Sequence, residues 1–133
     1  MCGFFQVVQK SGPIDRERFR AALASMHHRG PDQSGELFLE KKVPSARGAQ
    51  PVYFAFGHQR LSILDLSDKS RQPFVIDRDV LLYNGELYNF HELNQALQQQ
   101  GYVLDTHGDT ETLFKSVLAA NEQALKGFNG MWA

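Results

Sequence analysis

Short apolar runs rich in aromatic and β-branched residues follow one another along this chain, with few stretches of helical period between them. Such runs predict strands at 3–8 (GFFQVV), 36–40 (ELFLE), 52–58 (VYFAFGH) with 59–64 (QRLSIL) continuing from it, and 74–76 with 79–83, joined as a hairpin by Asp77-Arg78. Three segments carry a helical face instead. In the first, Asp15 is the expected N-cap, Phe19, Ala22, Leu23 and Met26 form the face, and Gly30-Pro31 stops it. In the second, Asn89 and Glu92 make a capping-box pattern, Phe90, Leu93 and Leu97 form the face, and Gly101 suits the C′ position. In the third, Asp109 or Thr110 is the expected cap, ahead of Leu113, Phe114, Val117 and Leu118. A brief strand is expected at 102–104, and a last one after a turn at Gly127. Residues 41–50 read as an exposed loop and 65–73 as a polar turn region. Strands in runs with few helices predict an α+β fold with mainly antiparallel sheet, not alternating βαβ units.

The 133 residues suit one domain, and 42% hydrophobic with 22% charged residues is ordinary for a globular protein. A net charge of -1 gives no electrostatic footprint for nucleic acid or an anionic membrane. No run approaches the ~20 apolar residues of a membrane span, and residues 1–10 lack the pattern of a secretory signal. One cysteine, Cys2, cannot form an internal disulfide, so a reducing, cytoplasmic compartment is expected. None of His27, His28, His58, His91 and His107 has the spacing of a zinc site, and no metal is expected. His28 borders Arg29 and Asp32, which could pair to hold their loop. The chain ends in an apolar strand, Met131-Trp132-Ala133, from which a C-terminal truncation is expected.

Cys2 follows the initiator Met1. Removal of Met1 would leave a thiol and a free α-amine on one residue, and the amine can take the thiol's proton. Amide cleavage by such a nucleophile needs donors for a tetrahedral oxyanion. Asn84-Gly85 offers a side-chain N–H and a glycine backbone N–H, although Asn-Gly is also a common hairpin turn. An amino-acid substrate needs its charged groups recognised. Arg60 could grip a carboxylate in bidentate fashion, or be a surface charge at a strand end. Asp109 could pair with an ammonium, or cap a helix. Glu86 could face an ammonium, or be a solvated turn residue.

Taken in order, Met1-Cys2-Gly3, His28-Arg29-Gly30-Pro31-Asp32, Gly57-His58-Gln59-Arg60-Leu61-Ser62-Ile63, Gln72-Pro73, Asn84-Gly85-Glu86-Leu87-Tyr88-Asn89, Gly108-Asp109-Thr110-Glu111 and Gly127-Phe128-Asn129-Gly130-Met131 form seven motifs. Together they resemble the glutamine-hydrolysing N-terminal domain of asparagine synthetase-type amidotransferases, class II enzymes with an N-terminal nucleophile. The resemblance covers essentially the whole chain, 1–133. It implies the four-layer αββα sandwich of N-terminal-nucleophile hydrolases, here lacking C-terminal strands and an ATP-dependent synthetase domain. It implies that Cys2 attacks the side-chain amide of L-glutamine, and that the thioester is then hydrolysed to glutamate. Asn84 and Gly85 match the oxyanion hole, Arg60 the carboxylate-binding arginine, and Asp109 the acid that receives the ammonium. Leu61, Ser62, Ile63 and Leu64 match the strand lining the glutamine pocket, and Glu86 its rim. No cofactor is implied for this domain; ATP and magnesium belong to the synthetase domain, where ammonia amidates a carboxylate such as aspartate. A homodimer is left open.

Several residues depart from the family's habit. Phe4-Phe5-Gln6 follows Gly3 where small and aliphatic residues are commoner, and Gln6 is odd in a core strand. Thr106-His107-Gly108 precedes Asp109 where Ser or Thr usually sits beside the acid, and Trp132 stands in place of Phe. These suggest a divergent member that amidates a sugar or peptide precursor in place of aspartate. Two other readings stand beside the enzyme: a non-catalytic glutamine-binding or interaction module with the same fold, and a redox sensor built on the single cysteine.

Overall fold

The computed structural model describes residues 2–46 and 48–133, and Met1 and Arg47 lie outside the described residues. The chain divides into two compact units, Met1–Leu61 and Ser62–Ala133. Both are mixed helix and antiparallel sheet, as the run of strands predicts.

The first unit is a three-stranded sheet with one helix on it. Strands β1 (Gly3–Gln9), β2 (Gln33–Val43) and β3 (Gln50–Arg60) pair antiparallel in the order β1-β3-β2. Helix α1 (Arg16–Ser25) is capped by Asp15, whose carboxylate accepts from the N–H groups of Glu17 and Arg18 at 3.0 and 3.1 Å. Strand side chains alternate between faces, so Phe5 and Val7 join Phe19, Leu23 and Ala55 beneath α1, with Phe38 and Met26 packed alongside. Gln6 falls on the opposite face and is exposed, which resolves its oddity in a strand of this kind. Ala22, expected on the buried helix face, is exposed.

Two strand limits differ from expectation. β2 runs Gln33–Val43, well beyond 36–40, because its charged end pairs register for register with Gln50–Val52 of β3. The loop expected at 41–50 shrinks accordingly. At its other end β3 stops at Arg60, so the strand predicted to continue to Leu64 is cut short. Gly3 pairs with Gln59 and Gln33 with Arg60. Past those two pairs neither flanking strand offers a ladder partner.

The second unit is built from shorter pieces. A hairpin of β4 (Phe74–Ile76) and β5 (Asp79–Leu81) turns through Asp77, whose φ of 53° aspartate tolerates. Strand β6 (Gly85–Leu87) pairs antiparallel with β7 (Gly130–Trp132). Between them lie α2 (Phe90–Gln99) and α3 (Asp109–Ala120). Tyr83, Leu87, Phe90 and Leu113 form the core, flanked by Leu93, Val117 and Phe128. α2 closes as expected at Gly101: the Gly101 N–H reaches the Gln98 carbonyl and the Tyr102 N–H the Leu97 carbonyl, a Schellman pair.

Several local expectations fail here, Leu118 of the α3 face among them at 39% exposure. Asn89 makes no capping bond to α2. Its amide donates to the Gly127 carbonyl and accepts from the Asn129 N–H, both at 2.9 Å, so it ties the segment before β7 to α2 instead. Residues 102–104 are not a strand. α3 begins at Asp109, with Gly108 at the cap position, so neither Asp109 nor Thr110 is the cap.

Candidate active site

Cys2 sits immediately before β1, half-buried. The Gly3–Gln59 pairing brings it level with the end of β3. There the Leu61 N–H donates to Cys2 Sγ at 3.3 Å, and Sγ lies 3.7 Å from the Leu61 carbonyl oxygen. Leu61 thus meets the cysteine through its backbone, where a further ladder partner would otherwise stand. Arg29 lies against Gly3, and its guanidinium donates to the Cys2 carbonyl at 3.4 Å.

Arg60 is buried and donates to Gln33 Oε1 at 2.7 Å, while its carbonyl accepts from the Asp32 N–H at 3.1 Å. It is no surface charge. The loop between α1 and β2 shows why it contains glycine: a Cβ on Gly30 would stand 2.4 Å from the Gln59 carbonyl oxygen. The His28–Asp32 motif therefore secures the end of β3 that carries Arg60, a role its sequence did not announce. Ser62 is half-buried, and Ile63 and Leu64 are exposed at 59% and 48%. Residues 61–64 leave the ladder and are not a strand.

In the second unit the backbone of β6 is the organising feature. Asn84 exchanges both backbone hydrogen bonds with Ala133, at 3.1 and 2.9 Å, and the Tyr88 N–H donates to Asn129. In an antiparallel pair these bonds alternate along the strand. Residues 84, 86 and 88 therefore turn their N–H groups toward β7, and Gly85 and Leu87 turn theirs to the opposite edge. The Leu87 N–H bears this out, donating to Asp109 Oδ2 at 2.9 Å. The Gly85 N–H, unspent by the ladder, points to that same edge about 7 Å along the strand. Gly85 is not a hairpin turn. A Cβ there would stand 2.2 Å from the Met131 carbonyl oxygen, so the close pairing with β7 requires glycine. Glu86 is half-buried within the strand, paired with Met131, and is not a solvated turn residue.

Asp109 is buried at the first turn of α3, and besides Leu87 it accepts from the Tyr83 hydroxyl at 3.0 Å. Tyr83 is held in turn by Gln72, whose amide donates to the Tyr83 carbonyl at 3.0 Å and accepts from its N–H at 2.6 Å. The segment leading into α3 is clamped by two buried carboxylates. Asp65 accepts from the N–H groups of Ser67 and His107 at 2.8 and 2.9 Å. Glu111 accepts from those of Asp105 and Thr106 and pairs with Lys115 at 2.6 Å. Burial pushes both acids up, but these hydrogen bonds outweigh it and hold both below the ordinary carboxylate range. Sequence reasoning gave none of Gln72, Tyr83, Asp65 and Glu111 a role. Gln72 and Glu111 stood inside motifs, but their partners lie in the fold, out of sight of any local pattern.

Among the described residues no group of three His, Cys, Asp or Glu is placed to hold a metal, and no helix is long and apolar enough to cross a membrane.

Residues 1–133 match the family described as the glutamine amidotransferase domain, and the chain belongs to that family. Asparagine synthetase [glutamine-hydrolyzing] 1 of Bacillus subtilis is 32% identical over 139 residues, which cover 100% of this chain and 20% of the relative. Asparagine synthetase [glutamine-hydrolyzing] 3 of the same organism is 31% identical over 132 residues, 96% of this chain and 19% of the relative. An amidophosphoribosyltransferase of Archaeoglobus fulgidus is 26% identical, with 85% of this chain and 29% of the relative covered. The chain thus spans about a fifth of the length of these two synthetases.

Proposed function

We propose that the protein is the glutamine-hydrolysing part of an asparagine synthetase-type amidotransferase, and that Cys2 is its nucleophile. The observation that carries this reading is the family match over all 133 residues, with Cys2 as the only cysteine. Once Met1 is removed, the Cys2 amine takes the thiol proton and the sulfur attacks the side-chain carbonyl carbon of L-glutamine. The Asn84 side chain and the Gly85 N–H stabilise the oxyanion. The carbon–nitrogen bond breaks, ammonia leaves with the proton, and water then cleaves the γ-glutamyl thioester to glutamate and free Cys2. Arg60 receives the substrate carboxylate and Asp109 its ammonium. Leu61, Ser62, Ile63, Leu64 and Glu86 surround the side chain.

Three observations support these assignments. Gly85 directs an N–H away from β7, toward the edge on which Asp109 lies. Arg60 is buried and not a solvated charge. The Cys2 sulfur is engaged by a backbone N–H at the end of β3.

The overall architecture proposed is the four-layer αββα sandwich of N-terminal-nucleophile hydrolases, with residues 1–133 as the glutaminase domain. The ammonia serves a cytoplasmic synthetase domain that uses ATP and magnesium, in line with the greater length of the relatives. Aspartate is the acceptor their names favour, whereas the amidophosphoribosyltransferase likeness keeps a different acceptor in view.

Glutamate release from L-glutamine tests the proposal, using protein whose mass shows Met1 absent beside Cys2→Ala. Turnover that vanishes in the variant is expected. Folded, Met1-free protein that binds glutamine without turnover would instead support the non-catalytic module.

A further inference from the structure

Tyr83 has a hydroxyl that packing does not require. Its ring lies in the apolar cluster with Leu87, Phe90 and Leu113, where phenylalanine would fill the same space. The hydroxyl donates to Asp109 Oδ2, the oxygen already engaged by the Leu87 N–H. Two donors on one oxygen fix the plane of a carboxylate whose terminal torsion is otherwise broad. They leave Oδ1 as the oxygen to meet a ligand. Gln72 extends the arrangement backwards. Its amide grips both backbone groups of Tyr83, and the next residue, Asn84, is locked to Ala133 on the other side of the same peptide. One side chain therefore holds the backbone that leads into Asn84 and, through the Tyr83 hydroxyl, the acid at the start of α3.

We propose that Tyr83 is a positioning residue for Asp109: its hydroxyl orients the carboxylate toward the α-ammonium of the substrate and so favours amides that carry that ammonium. This rests on the assignment of Asp109 to the ammonium, and the test separates the two claims. Met1-free Cys2→Ala protein is titrated with L-glutamine and with its des-amino counterpart, 4-carbamoylbutanoate, by ligand-observed NMR, which reads weak binding. The same titrations follow in Tyr83→Phe and Asp109→Asn made on that background.

Tyr83→Phe is expected to weaken L-glutamine about five- to tenfold, because one of the two donors that orient the Asp109 carboxylate is gone, and to leave the des-amino amide within about twofold. Asp109→Asn weakens L-glutamine further. If both ligands lose equally in Tyr83→Phe, the hydroxyl is merely structural and the proposal is overturned. If Tyr83→Phe binds L-glutamine normally while Asp109→Asn does not, the positioning role falls and the ammonium assignment stands. If Asp109→Asn binds L-glutamine normally, that assignment is wrong and the Tyr83 role goes with it.

Discussion

The two units hold their candidate site residues by different means. In Met1–Leu61, Cys2 and Arg60 stand at the ends of a ladder whose strands run seven and eleven residues. Register does the positioning, and an error at one rung is shared among the rest. In Ser62–Ala133 the strands are three residues long. Gly85 has only the short β6–β7 pairing, and the backbone leading to it and to Asp109 is held besides by side chains that reach backbone groups: Gln72 on Tyr83, Asp65 on His107, Glu111 on Asp105 and Thr106. A ladder tolerates a changed side chain but not a changed backbone path. A clamp of side chains is the reverse.

The largest effect should therefore come from displacing the ladder's backbone. Gly30→Val puts side-chain atoms into the Gln59–Arg60 peptide. We expect roughly 3 kcal/mol of destabilisation in denaturant unfolding, as for severe overpacking. An unchanged midpoint would show that this glycine does not secure the end of β3. Next comes the clamp. Glu111→Ala leaves the Asp105 and Thr106 N–H groups without their acceptor, worth about 2 kcal/mol. Hydrogen exchange should quicken at 103–108 while the amides of β1 and β3 keep their protection. Equal quickening in both units would erase the distinction drawn between them.

Acid should act on the same clamp more gradually. Asp65 and Glu111 are held below their ordinary values of 3.8 and 4.5, so the folded state binds their protons less readily than the unfolded state. Their contribution is complete above about pH 4.5 and is lost as pH falls toward the folded values. Exchange measured from pH 7 down to pH 3 should therefore show 103–108 opening first. A profile flat across that range would contradict the role given to the two acids. The smallest change is Asp15→Ala, which removes the cap of α1 at a cost of about 1 kcal/mol. It should leave the rate of Cys2 alkylation unchanged, because α1 is not part of the ladder.

The same contrast governs what could be read from residues alone. In the first unit, local composition gave β1 and the cap of α1, since each depends on residues a few positions apart. What failed there was the reach of strands: β2 extends through charged, exposed residues because β3 pairs with it, and β3 stops at Arg60 for want of partners. In the second unit, local patterns misled more often. Asn89 and Glu92 have the spacing of a capping box, yet Asn89 spends its side chain on Gly127 and Asn129, some forty residues away. Asp109 looks like a cap, yet its carboxylate goes to Tyr83 and Leu87, and Gly108 takes the cap position. The candidate residues themselves could be named from the sequence because the motifs that contain them are contiguous. Their supports, Gln72, Tyr83, Asp65 and Glu111, were not, because what each one holds is fixed only by folding.

The central claim is that Cys2 carries the acyl group of glutamine. Met1-free protein mixed with L-glutamine, quenched in acid during turnover and digested, should yield an N-terminal peptide beginning at Cys2 and heavier by one γ-glutamyl group. Hydroxylamine should remove that mass, as expected of a thioester. Glutamate released at full rate with Cys2 unmodified, or from Cys2→Ala protein, would contradict the account.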